Sequence, residues 1–547
     1  MGKDPIKIRL AVESDVPGVR EVFRATYDET YPYSGFFHID WLKHAVFNDN
    51  LIMLVAENTE TKTILGTASV VCDIGADSDL LGEFGRLAVL PEARGHRLGS
   101  RLMQARIDQI KDRLHVGVVE NRTRHPFSQR ISRDHGFVPI GFLPLKHQFK
   151  NRESTVFYVH YFGDALSLRR NNPHVVPEVQ EVAYQALNNC GLPFDVILDE
   201  ESQALPPGAE FPIHHLTADD MSALIRIERG RLRGREIFGP MRLQYGMFRL
   251  NAKHANYLVA REPSPDGDQS PVAGALGYIH DEIDKSIRIF ELIAPSDRAS
   301  RFLLEQLLDH AENELDASYV EIDVSAHSPR MQRTLVELGF LTIAYIPAMV
   351  FHRVERRDVI KMAKLLVPPE FGEIVLIPEA KALAEVVMKN FKRQYVLPEV
   401  ANALNHLELF DGLTEEQSQR VASVCSVSRF EKGENLIVAG AQSERMFVLI
   451  NGKVDITLGE NNQKVGDVEA GESLGEIAML TRMPHSMNAA AHGKVTAAVL
   501  SRKSFEALVR QRPDIGTVLY RNMAMGLGGK LHELNRVSQA RTSNSKI

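Results

Sequence analysis

The chain has 547 residues, room for about three or four domains with a core each, and is 44% hydrophobic and 25% charged, the balance of an ordinary globular protein. A net charge of −7 and a pI near 6.3 argue against a nucleic-acid partner. Cys72, Cys190 and Cys425 lie too far apart for a disulfide framework or a CxxC metal site, no His/Cys/Asp cluster has metal-ligand spacing, and no apolar run approaches the ~18 residues of a membrane span. The opening "MGKDPIKIR" has no apolar signal segment, and Ile6 breaks the myristoylation pattern. These features predict a cytoplasmic protein with no metal, no nucleic acid and no membrane among its partners.

Residues 7–160 read as an N-terminal helix, a two-strand hairpin, a third strand, a long amphipathic helix, a strand, a short helix and a final strand. Leu98, Leu102, Ile107, Ile110 and Leu114 mark the long helix, and strands alternating with helices predict an α/β layer. The third strand, from Glu83 to Leu90, runs into "LPEARGHRLGSRLM". A turn between a strand and a helix gathers backbone N–H groups at the positive end of the helix dipole, which favours an anion. Arg94, His96 and Arg97 add positive charge there, and a solvated helix entry is the alternative.

Residues 161–210 read as a linker that packs, with a helical patch "PEVQEVAYQAL". Residues 211–355 then repeat the first segment. "HPFSQRISRDHGFVPIGFLP" (125–144) and "SPRMQRTLVELGFLTIAYIP" (328–347) share seven residues in 19 ungapped positions, among them Gln129/Gln332, Arg130/Arg333, Gly136/Gly339 and Phe137/Phe340. Background usage gives roughly one. Upstream, "LVAE" (54–57) answers "LVAR" (258–261), and Pro91 with Arg94 answers Pro295 with Arg298, so a duplicated domain is the economical explanation. The second copy reads "APSDRASRFLLEQ" at the loop, with Ala299 and Leu303 in place of Gly95 and Gly99, and a branched side chain at Leu303 obstructs close approach of a phosphate. Residues 356–404 read as a helical connector. From 405 to 515, glycines at Gly433, Gly440, Gly452, Gly459, Gly466 and Gly471 separate short apolar runs, which predicts a small β-barrel or roll. Residues 516–547 read as a helix, suited either to a homodimer contact or to capping the barrel, and a disordered polar tail, "SQARTSNSKI". "GLGGK" (526–530) lacks the strand and the Lys-Ser/Thr of a phosphate-binding loop.

"EFGRLAVLPEARGHRLGSRLM" resembles motif A of the GNAT superfamily of acyl-CoA-dependent N-acyltransferases, and the order of elements over residues 7–160 resembles that family too. The resemblance implies that backbone amides grip the pyrophosphate of acyl-CoA, most simply acetyl-CoA, with Leu87, Val89, Arg94, Gly95, His96, Arg97, Leu98, Gly99 and Ser100 forming the site. Arg97 stands where the family has its middle glycine. Glu83 lies where many members carry the carboxylate that deprotonates the amine, and Ser132 where they carry a tyrosine acid. His125 is a second candidate for proton transfer because imidazole titrates near neutrality, the alternative being a surface or helix-capping residue. The second copy is then a degenerate partner that contributes packing or part of the acceptor cleft.

"FEKGENLIVAGAQSERMFVLINGKVDI" and "GESLGEIAMLTRMPHSMNAAA" resemble the cyclic nucleotide-binding domain across about 405–515. In that resemblance Gly475, Glu476, Ile477, Ala478, His485 and Ser486 form the nucleotide cassette, with Glu476 at the ribose 2′-OH. His485 occupies the place of the arginine that pairs with the cyclic phosphate, a weaker, single-point donor. The expected fold is two tandem GNAT-like α/β domains followed by a β-roll with flanking helices. The expected function is acyl transfer to a primary amine, on a protein lysine or a small molecule, gated by a cyclic nucleotide such as cyclic AMP. The alternative is a non-enzymatic sensor of acyl-CoA and cyclic nucleotide that signals to a partner protein.

Overall fold

The computed structural model describes residues 5–27, 31, 34–72, 79–149, 151–230, 234–240, 243, 255–263, 270–405, 407–441, 444–458, 463–481, 483–525 and 528. The tail "SQARTSNSKI" and most of "GLGGK" lie outside the described residues. The chain forms two compact units, residues 1–389 and 390–547.

The first unit begins with β1 (Ile6–Leu10), followed by α1 (Val16–Tyr27), whose Val16, Val19, Val22 and Phe23 recur at helical spacing and are buried, and by α2 (Ile39–Val46). An antiparallel meander comes next, β2 (Leu51–Asn58), β3 (Ile64–Val71) and β4 (Leu81–Val89), then α3 (Leu98–Ile110), β5 (Val116–Arg122) and α4 (Phe127–Asp134). Sheet faces divide the apolar residues: Met53, Val55 and Ala88 meet α1 and α2, whereas Leu54, Ala56 and Ala68 meet Leu98 and Leu102 of α3. The domain closes with a hairpin, β6 (Val138–Gln148) and β7 (Arg152–Tyr161), one strand more than the sequence predicts. β1 is likewise unpredicted, because "IKIRL" is too short to stand out beside the helix that follows it.

β8 (His174–Val175), α5 (Gln180–Asn189) and β9 (Ile197–Leu198) occupy the linker. The second copy then repeats the order: β10 (Ile213–His215), α6 (Ala218–Arg229), β11 (Ile237–Phe238), β12 (Ala255–Arg261), β13 (Val272–Asp281), β14 (Ser286–Ile293), a helix Asp297–Asn313, β15 (Tyr319–Ser325), a helix Pro329–Glu337, β16 (Leu341–His352) and β17 (Glu355–Leu365). The residues read as a helical connector therefore open as a strand, since "DVIKMAKLL" belongs to the closing hairpin.

Among the described residues the two copies share one 15-stranded sheet, ordered β1-β2-β3-β4-β5-β7-β6-β16-β17-β15-β14-β13-β12-β10, with β11 on β15. The halves join where Gly141 of β6 pairs with Ala344 of β16. A Cβ on Gly141 would lie 2.7 Å from the carbonyl oxygen of Ile343 and 2.8 Å from Cα of Ala344, so only glycine permits this approach.

The repeat also extends further than its sequence suggests. Buried Gln129 accepts a bond from the Ile377 amide (3.1 Å) and donates to the carbonyls of Val375 (2.9 Å) and Arg122 (3.1 Å). Gln332 does the same with Val176 (3.1 Å), His174 (3.3 Å) and Ser325 (2.9 Å). Each glutamine thus clamps the tether that leaves the other copy, and "HVVPE" (174–178) and "VLIPE" (375–379) are matching segments that lead into α5 and into the helix Pro378–Asn405.

In the second unit, Val400, Leu404 and Leu407 share a core with Val421, Met446, Leu500 and Leu519, so the unit begins ahead of the residue-405 boundary read from sequence. Its strands are β18 (Ser426–Phe430), β19 (Asn435–Ile437), β20 (Arg445–Asn451), β21 (Lys453–Leu458), β22 (Gln463–Glu469), β23 (Ser473–Leu474), β24 (Asn488–Ala491) and β25 (Val495–Ser501). They form two four-stranded sheets, β18-β25-β20-β23 and β19-β24-β21-β22, flanked by the helices Glu476–Thr481 and Arg502–Gln511. Left-handed glycines at Gly433, Gly440, Gly452, Gly471 and Gly475 make the turns. No described helix is long and apolar enough to cross a membrane.

Candidate functional site

β4 and β5 run parallel and pair only from Leu81–Val116 to Glu83–Val118, then part. A short 3-10 turn, Pro91–Ala93, and an exposed loop lead from β4 into α3. Gly95 has φ +92° and Arg97, the N-cap residue, has φ 55° and ψ 25°. The backbone keeps the left-handed geometry that a glycine would take at Arg97, so the arginine replaces the glycine without changing the path of the loop. The amides of Gly95, His96, Arg97, Leu98, Gly99 and Ser100 meet no acceptor among the described residues. Six such donors at a helix N-terminus make a cradle for an anion. Leu98 is buried under the loop, and Leu87 and Val89 line the same face of β4. The Ser100 hydroxyl bonds Nε2 of His135 (2.9 Å), a residue whose pKa burial lowers.

Gly99 has a packing role as well. A Cβ there would meet Cδ1 of Ile131 at 2.9 Å, so this glycine also makes room for α4. The second copy lacks the loop altogether: its helix begins at Asp297, capped by the Ser296 hydroxyl on the Ala299 amide, and Arg301 is spent on the carbonyl of Leu205, Glu305 and Glu337.

Glu83 lies on the sheet face opposite α3, a third exposed, with Arg86 at 3.2 Å across a bulge in β4. His125 follows β5 as an exposed residue beside Phe127, and burial against its neighbours and the nearby Arg122 lower its pKa. It stands seven positions beyond Val118, the partner of Glu83, past the end of β5 at Arg122, where the charge of Arg94 also reaches it. Ser132 is sealed from the cleft and receives a bond from Asn121 (2.8 Å), so no hydroxyl replaces the missing tyrosine.

Sequence reading missed a charged network on the Glu83 face. Glu120, two residues past Val118, binds Lys146 (2.8 Å) and His147 (2.9 Å), and Lys146 also reaches Glu321 of the second copy (3.2 Å). His147 donates its other N–H to Asp284 (2.8 Å), Lys361 binds Asp323 (2.6 Å), and Arg288 lies 3.3 Å from Asp323 and 3.8 Å from Glu321. Burial opposes the charge on His147, yet Asp284 and Glu120 outweigh it and raise its pKa to about 9. Burial would likewise raise the pKa of Glu120, but Lys146 and His147 hold it well below the usual range. The signal was charge at alternating positions in otherwise apolar strands, as in "YVEIDVS".

In the second unit Gly475 has φ +94° and no room for a Cβ, which would lie 2.7 Å from the carbonyl oxygen of Arg445. Glu476 opens the short helix and accepts from the Ser473 hydroxyl (2.5 Å), while Ile477 and Ser486 are exposed. The side chain of Ala478 lies outside the described residues. His485 exchanges backbone bonds with Gly440 and Ala441, its Nε2 has no partner among the described residues, and burial lowers its pKa.

Comparison with known proteins matches residues 49–139 to the family described as "Acetyltransferase (GNAT) domain" and residues 427–512 to "Cyclic nucleotide-binding domain". A cAMP-dependent protein kinase regulatory subunit of Mucor circinelloides f. lusitanicus is 26% identical over 26% of this chain and 38% of its own length. Glutaminase 1 of Bradyrhizobium diazoefficiens is 26% identical over 22% of this chain and 20% of its own. The chain thus spans well under half of these relatives. Among solved structures, a cyclic nucleotide-binding domain from Methylobacillus flagellatus KT aligns over 27% of this chain and 85% of that one at 22% identity and a TM-score of 0.25. The chain carries a GNAT acetyltransferase domain in its first half and a cyclic nucleotide-binding domain at its C-terminal end.

Proposed function

We propose that the first half transfers an acyl group, most simply acetyl from acetyl-CoA, to a primary amine in the cytoplasm, and that the second unit regulates it through a cyclic nucleotide such as cyclic AMP. The observation that carries this reading is the row of six unengaged amides from Gly95 to Ser100 beside the parting of β4 and β5. The pyrophosphate lies on those amides and Arg94, and the thioester runs into the gap. Glu83 takes a proton from the ammonium directly or through water, the free amine attacks the thioester carbon, an amide C–N bond forms, and the C–S bond breaks. The thiolate takes its proton from solvent, because Ser132 is sealed. A protein lysine and a small amine are both acceptors of this chemistry. Regulation has a route in the tether: Gln129 on α4 clamps residues 375–377, and the next residues begin the helix Pro378–Asn405.

Labelled acetyl-CoA presented with lysine peptides and a panel of amines, with and without cyclic AMP, tests the reading. Glu83→Gln is expected to lower kcat roughly 10²- to 10⁴-fold. Gln129→Ala is expected to abolish any cyclic AMP response, as is Glu476→Ala. The sealed Ser132 favours a second reading, a non-enzymatic acyl-CoA sensor. Tight acetyl-CoA binding without turnover of any amine would establish that reading instead.

A further inference from the structure

The second copy has lost the loop, yet its strands hold charged groups against the face that carries Glu83. Register makes the comparison specific. Glu83 pairs with Val71 on one side and Val118 on the other, and Arg288 takes the same place between Ile279 and Glu321. An arginine thus stands in the second half where the candidate base stands in the first. A chain of charged contacts runs from beside Glu83 to Arg288: Glu120 lies two residues past the partner of Glu83, Lys146 bridges Glu120 (2.8 Å) and Glu321 (3.2 Å), and Arg288 lies 3.8 Å from Glu321. Burial opposes the charge of Arg288, but Asp323, Glu321, Glu83 and Glu120 together raise its pKa.

Arg288 is the loosely held cation of this network. Lys361 holds Asp323 at 2.6 Å and Lys146 holds Glu120 at 2.8 Å, whereas Arg288 makes one long hydrogen bond, Nη2 to Asp323 at 3.3 Å. Its other donors meet no acceptor among the described residues, and the side chain is 31% exposed. A partly exposed guanidinium with free donors is suited to receive a carboxylate.

We infer that Arg288 of the second half binds a carboxylate of the acceptor whose amine is placed at Glu83 of the first. The acceptor class is then a small amine that carries a carboxylate, such as a free amino acid, rather than a lysine within a protein. The inference rests on the acyl-transfer reading above. In the balanced step, R–NH3+ and acetyl–S–CoA give R–NH–acetyl, CoA–SH and one proton, released through Glu83, and the acceptor carboxylate remains ionised on Arg288 throughout. The second copy thereby determines specificity, with no acyl-CoA of its own.

The test uses the full chain, acetyl-CoA and matched amines: free lysine, its decarboxylated counterpart 1,5-diaminopentane, and lysine within a peptide blocked at both ends. The expected result is a kcat/KM for free lysine at least about tenfold above both others. In Arg288→Gln the KM for free lysine is expected to rise roughly tenfold to a hundredfold, so that the preference for the carboxylate collapses, with Arg288→Lys restoring part of it. An unchanged Kd for acetyl-CoA in both variants shows that the fold is intact. Equal turnover of all three amines, faster turnover of the peptide, or a preference that survives Arg288→Gln overturns this inference and leaves acyl transfer standing. If no amine turns over while acetyl-CoA binds, the acyl-transfer reading falls, and this one with it.

Discussion

Gly95 and Gly99, four positions and one helix start apart, differ in their surroundings, and alanine at each separates them. Gly95 has φ +92° with open space around its missing Cβ, so Gly95→Ala meets only backbone strain, about 1–2 kcal/mol, which the loop relieves by rotating its amides. Acetyl-CoA affinity measured by calorimetry is expected to fall about tenfold or more. Gly99→Ala presses on the flexible end of Ile131, and is expected to cost less than about 1 kcal/mol of stability and to leave affinity unchanged. His485 carries a second prediction at this scale. Burial lowers its pKa in the free protein, whereas a bound cyclic phosphate favours the charged imidazole. Cyclic AMP affinity is therefore expected to strengthen as pH falls from 8 toward 5.5, and His485→Arg to remove that dependence and tighten binding roughly tenfold or more.

At the scale of elements, the contact between β6 and β16 is the weak point of the long sheet. In Gly141→Ala the new Cβ meets the backbone of Ile343 and Ala344, which cannot move without opening the ladder. A loss of at least about 2–3 kcal/mol is expected in denaturant unfolding of the first unit, far more than for Gly99→Ala. The parting of β4 and β5 belongs to this scale as well. Three paired positions hold the strands together, and past them the bulge at Arg86 and the loop at Gly95 turn β4 away, leaving a gap that two fully paired parallel strands could not offer.

For the whole molecule, the charged network is one of the bonds between the duplicated halves, beside the β6–β16 pairing and the glutamine clamps, and His147 makes it sensitive to pH. Its pKa of about 9 lies above the 6.5 of an unfolded histidine, so its contribution is full below pH 6.5 and is lost as pH rises through 9. Thermal denaturation between pH 6.5 and 9.5 is expected to show a decline on the order of 2–3 kcal/mol, and His147→Gln to be less stable at pH 6.5 and nearly flat across that range. The clamps at Gln129 and Gln332 act at the same scale, each fastening the tether that leaves the opposite half.

Local pattern was enough for the course of the loop, the duplication and the C-terminal β-roll. Those features depend on neighbouring residues, on glycines that permit positive φ, on strand-to-helix order and on repeated spacing, all of which the chain writes in linear form. The closing hairpins were less legible, because apolar strands such as "DVIKMAKLL" carry charges inward and blur the alternation. The partnership of Lys146 with Glu120 and Glu321 and the place of Arg288, in the register position that the candidate base holds in the first half, were decided by tertiary structure alone. Residues as far apart as Lys146 and Glu321, 175 positions, meet there through strand register and the join of two halves. An isolated charge within a strand reads the same in sequence whether solvent or another domain will answer it.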